Sequence, residues 1–208
     1  MNQDEHILKT NNNDAQLSRN LIDTIDRETK DSTPWFAIRL FGGRSNEVAD
    51  FFKDNEVETF IPMRVVDYLD RNEKIRHALR PVVRNLLFVK KTMSVRKLNK
   101  LMRDSGRQMM VFRKTKGSAE YYEIPAKQML DFRIMCNPEF AKALYLSGEE
   151  AQIKIGDPVL VSHGPLKGIT GRLVRQNKKY YLLKEVPGIG VMVKVSRWCC
   201  KPMPKTHS

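Results

Sequence analysis

The side chains able to ligate a metal, attack a carbonyl or shuttle a proton are few in this chain and poorly spaced for such work. Its three cysteines, Cys136, Cys199 and Cys200, form an odd set without Cys-x-x-Cys spacing, so reduced thiols are expected rather than a disulfide framework. The four histidines, His6, His77, His163 and His207, lie too far apart for the helical or short-loop spacing of a zinc site. No phosphate-binding loop and no Ser-His or Cys-His arrangement at a recognisable spacing is present. The expectation is a protein that is not an enzyme and holds no metal or cofactor.

The chemistry the sequence favours instead is neutralisation of a polyanion. Of 208 residues, 37 are basic and 24 acidic, a net charge of +13, and the excess is unevenly placed. Residues 64 to 116 hold sixteen basic against four acidic groups, residues 152 to 208 eleven against two, and the stretch between them, 117 to 151, three against six. Two basic blocks divided by an acidic spacer point to two surfaces that face nucleic acid. The plain alternative is charge that serves solubility alone. No apolar run reaches the ~20 residues of a membrane span. The opening "MNQDEHILKT" carries acidic groups instead of the zones of an export signal, so a cytoplasmic protein is expected.

The elements that must position these charges follow from patterning. Residues 1–33 are expected to be a mostly disordered tail, with Leu17, Leu21, Ile22 and Ile25 spaced for a short amphipathic helix. "WFAIRLF" after Pro34 reads as a strand. Ser45 is placed to cap a helix with Val48, Ala49, Phe51 and Phe52 on one face, ending near Asn55. A strand at 57 to 62 follows, and 64 to 80 reads as a projecting basic hairpin turning at Asp70 to Glu73. "RPVVRNLLFVKK", 80 to 91, reads as the next strand. Ser94 and Gly106 bound a helix over 95 to 104. Strands at 108 to 113 and 120 to 124 precede a helix opened by Pro125, with Ala126, Met129, Leu130, Arg133 and Ile134 on one side. This order gives an α+β domain, an antiparallel sheet flanked by helices, over 34–136.

Asn137-Pro138 breaks the last helix, and 137–152 reads as a linker holding at most a helical turn or two. From 153 to 208 short strands alternate with glycine and proline, the texture of a small all-β SH3-like barrel. Pro158, Pro165, Pro187 and the glycines between 156 and 190 oppose long helices there.

Within that part, "GDPVLVSHGPLKGITGRLV" has a Gly-Asp lead-in, an alternating strand, a Gly-Pro loop and a Lys-Gly-x-x-Gly return. It resembles a KOW motif, whose loop corresponds to Gly164, Pro165, Lys167, Gly168 and Gly171. Upstream, "WFAIRLF", "VETFIPMR" and "RPVVRNLLFVKK" follow the order and spacing of the N-terminal domain of the NusG family of transcription elongation factors. The resemblance spans about residues 34 to 201 and is closest to specialised paralogues of the RfaH-like and UpxY-like antiterminator type, the latter acting on capsular polysaccharide operons.

That resemblance implies docking of an apolar patch on the clamp helices of RNA polymerase's largest subunit. By position the patch is Val83, Leu86 and Phe88, flanked by Ile61 and Pro62. The chain departs from the family's Phe-Pro-Gly-Tyr core, having Val83, Arg84, Asn85 and Leu86. Lys74 and Arg76 on the hairpin, with Arg96, Lys97, Lys100 and Arg103 on the helix, are the candidates to touch non-template DNA or nascent RNA. The implied role is antitermination and transcription elongation, with the KOW domain recruiting a ribosomal protein or termination factor. A ribosome-associated or RNA-binding KOW protein is the alternative use of the same charge.

Overall fold

The computed structural model describes residues 30–42, 44–137 and 143–204; the expectations for residues 1 to 29 and for Pro138 lie outside them. The order of apolar residues in "WFAIRL" makes β1 (Trp35–Leu40) the centre of the N-terminal part. Both faces of this strand are apolar, so both must be covered. β1 pairs antiparallel with β5 (Leu86–Lys90) and β6 (Met109–Val111), and β2 (Thr59–Phe60) completes the order β2-β5-β1-β6. Phe36, Ile38 and Leu40 enter one core with Val48 and Phe52 of α1 (Ser45–Asp54) and Leu98 and Met102 of α2 (Val95–Asp104). Trp35 and Ala37 enter a second core on the opposite face.

Local signals set most of these boundaries. Ser94 Oγ accepts a hydrogen bond from the Lys97 amide at 3.4 Å and opens α2, while Gly106 leaves it at φ +65°, a left-handed stop that costs glycine little. Ser45 does not cap α1: Arg44 holds the cap position without a side-chain bond, and Ser45 is buried as the first helical residue. Of the strand expected across 80 to 91, Arg80 and Pro81 belong to β4 (Ile75–Pro81) and β5 starts only at Leu86. Val82 to Asn85 turn instead, the Val82 amide bonding the Pro62 carbonyl at 2.9 Å and the Asn85 carbonyl accepting from the Leu40 amide at 2.9 Å. Between 120 and 124 only isolated bridges form, Arg113 with Tyr121 and Trp35 with Ile124.

β3 (Met63–Leu69) and β4 (Ile75–Pro81) pair only with each other, as a separate two-stranded ribbon. α3 (Ala126–Met135) departs from the one-sided helix its spacing predicts. Met129, Leu130, Asp131, Phe132, Ile134 and Met135 are all buried, because the N-terminal sheet covers one side and the C-terminal part the other. With only Lys127 left exposed, the helix has no broad polar face for periodicity to reveal.

The C-terminal part is a six-stranded antiparallel sheet in the order β12-β8-β9-β10-β11-β7. Its strands are β7 (Leu144–Ser147), β8 (Asp157–Val161), β9 (Thr170–Gln176), β10 (Lys179–Val186), β11 (Ile189–Val195) and β12 (Cys200–Pro202). The stretch read as a linker therefore contributes an edge strand. Ser147 then caps α4 (Gly148–Ile153) in a reciprocal capping box with Glu150, and a Cβ at Gly190 would fall 2.6 Å from that of Ala151. Residues 170 to 195 are strand and turn, in keeping with Pro187 and the three glycines they contain. The whole is α+β, mixed in its N-terminal part and β-rich in its C-terminal part. Among the described residues no helix is long and apolar enough to cross a membrane.

β9 and β10 approach closely at Gly171, where an added Cβ would lie 2.7 Å from the Leu183 carbonyl oxygen. Gly171→Ala is expected to lower stability by about 1–3 kcal/mol through this overpacking, read as a lower urea midpoint at unchanged slope.

Candidate functional site

Leu86 and Phe88 alternate with Leu87 and Val89 along β5, so the two pairs face opposite cores. Phe88 sits in a ring cluster, 5.6 Å from Phe132 of α3 and 6.3 Å from Phe60 of β2, and Phe60 meets Phe132 at 6.3 Å. Arg133 of α3 closes the edge, its guanidinium carbon 5.4 Å from the Trp35 ring and 5.6 Å from that of Phe60. The structure brings Val83, Leu86 and Phe88 to one face, with Val83 half-buried and the other two sealed. Pro62 is buried beside Val82. Ile61 turns to the other core, against α1 and α2.

α3 and β2 cover Phe88 from within the N-terminal part, and the C-terminal part covers Leu86. The tight turn between β10 and β11 brings Gly188 so near that a Cβ there would sit 3.2 Å from Leu86 and 3.1 Å from Phe112. Tyr145 Oη of β7 lies 3.4 Å from the Met63 carbonyl and 3.3 Å from that of Cys136, close enough to donate to either. Gln128 Nε2 of α3 donates to the Glu185 carbonyl at 2.8 Å.

A buried charge cluster pins this contact. Asp131, fully enclosed in α3, accepts from Lys184 Nζ of β10 at 2.8 Å and from the Thr170 hydroxyl of β9 at 3.0 Å. The Thr170 amide at 3.3 Å and Lys127 Nζ at 2.6 Å satisfy it further, and Lys184 also donates to the Thr170 carbonyl at 2.9 Å. Burial pulls the Lys184 pKa down while Asp131 holds it up. Sequence reasoning missed both residues, since neither a lone Asp on a helix nor a lone Lys on a strand carries a signal of its partner.

The basic candidates divide. Arg96, Lys97, Lys100 and Arg103 are all exposed on α2, opposite Leu98 and Met102. On the ribbon Lys74 is exposed, but Arg76 is engaged by Asp70 at 3.0 Å. The Asp70 carboxylate also accepts from the Asn72 and Lys74 amides at 2.8 and 3.0 Å. These bonds, the Lys74 amide first and then Arg76, hold its pKa below the ordinary value. The register adds Arg64 opposite Arg80 and Tyr68 opposite Arg76 on the same face, with Met63, Val65, Asp67 and Leu69 facing Pro81, Leu79, His77 and Ile75 on the other. Lys90 and Lys91 are paired with Glu58 and Glu123.

In the glycine-rich loop Gly164 and Gly168 take φ +84° and +88°, the Lys167 amide bonds the Gly164 carbonyl at 3.1 Å, and Pro165 and Lys167 are exposed. Burial pushes the Cys136 thiol far above its ordinary pKa, which leaves it unreactive. Among the described residues no group of three or more His, Cys, Asp or Glu is placed to hold a metal ion. No protein-family model matches this chain, and a comparison with curated proteins finds no match.

Two measurements probe this geometry. Asp131→Asn leaves the Lys184 ammonium buried without its counter-charge and should cost about 3–5 kcal/mol; a paired Asp131→Leu, Lys184→Met variant should recover most of that in thermal melts. At the ribbon turn, the depressed Asp70 pKa contributes order above the unfolded value of 3.8, and this is lost as pH falls through the lower folded value. The Lys74 amide resonance should therefore move only in acid, and Asp70→Asn should abolish the transition.

Proposed function

We propose that this chain acts in transcription as an elongation and antitermination factor, in the manner of the NusG-like proteins its sequence resembles. The apolar face carrying Val83, Leu86 and Phe88 would dock on the clamp of RNA polymerase. The exposed α2 cations and the Arg64–Arg80 face of the ribbon would follow the adjacent nucleic acid. Docking that favours a closed clamp over an open one shifts the polymerase toward the elongating state without covalent chemistry. Long operons, such as those for surface polysaccharides, are the expected setting, and the C-terminal sheet would serve as the KOW domain that recruits a further factor.

The observation that carries this reading is the covering of that face. Leu86 is buried because the β10–β11 turn of the C-terminal part lies over it, so withdrawal of that turn would bare Leu86 beside the half-buried Val83. In this reading the polymerase and the C-terminal sheet compete for Leu86 and the adjoining Val83, while Phe88 stays beneath α3 in either state. Binding to the clamp then requires the sheet to withdraw, and apparent affinity is reduced by the fraction of molecules that are closed.

The test is co-purification of core RNA polymerase with the full chain. Leu86→Asp is a poor probe, because Leu86 is buried and a charge there unfolds the sheet. Val83→Asp, at the half-exposed margin, is expected to cut polymerase capture about tenfold or more with an unchanged melting temperature, the scale of one interface anchor lost. Lys184→Met should raise capture by loosening the cover. Failure of the wild-type chain to bind core polymerase, at both low and moderate salt, would sink the reading.

A further inference from the structure

At the end of β10 remote from α3, the C-terminal sheet carries a surface that the reading above does not use. Trp198, on the one-turn 3-10 helix Arg197–Cys199, is 74% exposed and its ring lies 5.7 Å from that of His163. Beside it Tyr180 lies between two arginines, with the guanidinium carbons of Arg175 and Arg197 at 5.7 and 5.8 Å from its ring centre. Lys178, Lys179, Lys194 and Arg197 line a shallow depression around Tyr180 and Trp198. Among the described residues none of these four cations is held in an ion pair. From residue 152 onward the chain has only two acidic groups, Asp157 and Glu185; Glu185 is at the far end of β10, bound to Arg172.

The turn that presents Lys178 adds an independent sign. Asn177 and Lys178 both take positive φ, +50° and +61°, between the paired residues Gln176 and Lys179. This is the two-residue hairpin turn whose second position favours glycine. A lysine held there gives up backbone ease for a charge at the tip.

We infer that this surface binds single-stranded RNA, with Trp198 stacking on a base and the lysines and Arg197 meeting phosphates. Unpaired cations around an exposed ring fit a polyanion that also offers flat apolar faces. A duplex keeps its base faces stacked away. Ser196, which lines the same depression as Trp198, is exposed and its hydroxyl makes no hydrogen bond among the described residues, so it is free to meet a ribose 2′-hydroxyl, the group that separates RNA from DNA. The surface stays open while Leu86 and Phe88 are covered, and it stands whether or not the polymerase reading does.

The experiment is fluorescence anisotropy of a labelled, mixed-sequence single-stranded RNA of about 12 nucleotides, spanning one small-domain site, titrated with the full chain at several salt concentrations. Single-stranded DNA of the same sequence and duplex RNA are the comparisons. Single-stranded RNA is expected to bind tightest, with Trp198→Ala weakening it about tenfold at unchanged melting temperature, the effect of one lost base stack. Lys178→Gly relieves the turn, so it should keep or raise the melting temperature while flattening the slope of log K against log salt by about 0.7, one phosphate contact. Wild-type RNA affinity in Trp198→Ala, or an equal Trp198→Ala loss on single-stranded DNA or duplex RNA, would each overturn the assignment; DNA binding that Trp198→Ala leaves unchanged belongs to the α2 and ribbon cations.

Discussion

A carboxylate with no access to water governs how the two parts of this molecule meet. Asp131 sits in the middle of α3, fully enclosed, and α3 alone offers it one lysine, Lys127. The remaining donors, Lys184 and Thr170, come from β10 and β9, so the C-terminal sheet can cover α3 in one register only. Magnitudes separate the roles of charge and grease here. A buried pair is worth little net against an apolar replacement, whereas each fully buried Leu, Ile or Phe contributes about 1.5–3 kcal/mol. Leu86, Phe88, Leu130, Ile134, Val186 and Ile189 share one core and supply the attraction. Asp131 supplies the alignment.

Much of the fold can be read from patterning because local rules operate there. β1, the helix between Ser94 and Gly106, and the ribbon turning at Asp70 need only period, cap and turn chemistry. α3 is different: its burial on two sides erases the periodic stripe, and the second side is furnished by residues about fifty positions later. Leu144–Ser147 pairs with β11, a long-range decision that no local signal in an acidic, Ser-Gly-containing stretch announces. The "PVVRN" segment looks like strand by composition, yet its turn is set by bonds to Pro62 and Leu40.

The same division holds for the candidate site. The α2 cations are legible because Leu98 and Met102 declare the opposite face. Arg76, Lys90 and Lys91 carry identical sequence signals, but Asp70, Glu58 and Glu123 hold them, two of these acids from 32 residues away. Leu86 and Phe88 were recognisable as an apolar pair without any indication that the far half of the chain would lie over them. Net charge thus overstates the cation supply in one block and leaves the ring cluster invisible. Trp198 is the reverse case, an isolated aromatic whose meaning comes from Tyr180 and the cations that the sheet gathers around it.

The ribbon of β3 and β4 has a further consequence. Two strands without a third neighbour are marginal in water, and here Leu69 and Ile75 face one another at 65% and 67% exposure. The pair is therefore its own cooperative unit, able to open while the four-stranded sheet and α3 stay closed. Its order is a local equilibrium set by the turn at Asp70 and by whatever its greasy row and its arginine row rest against. A reach of seven residues per strand thereby works less as a rigid arm than as a tethered latch whose straightness reports contact.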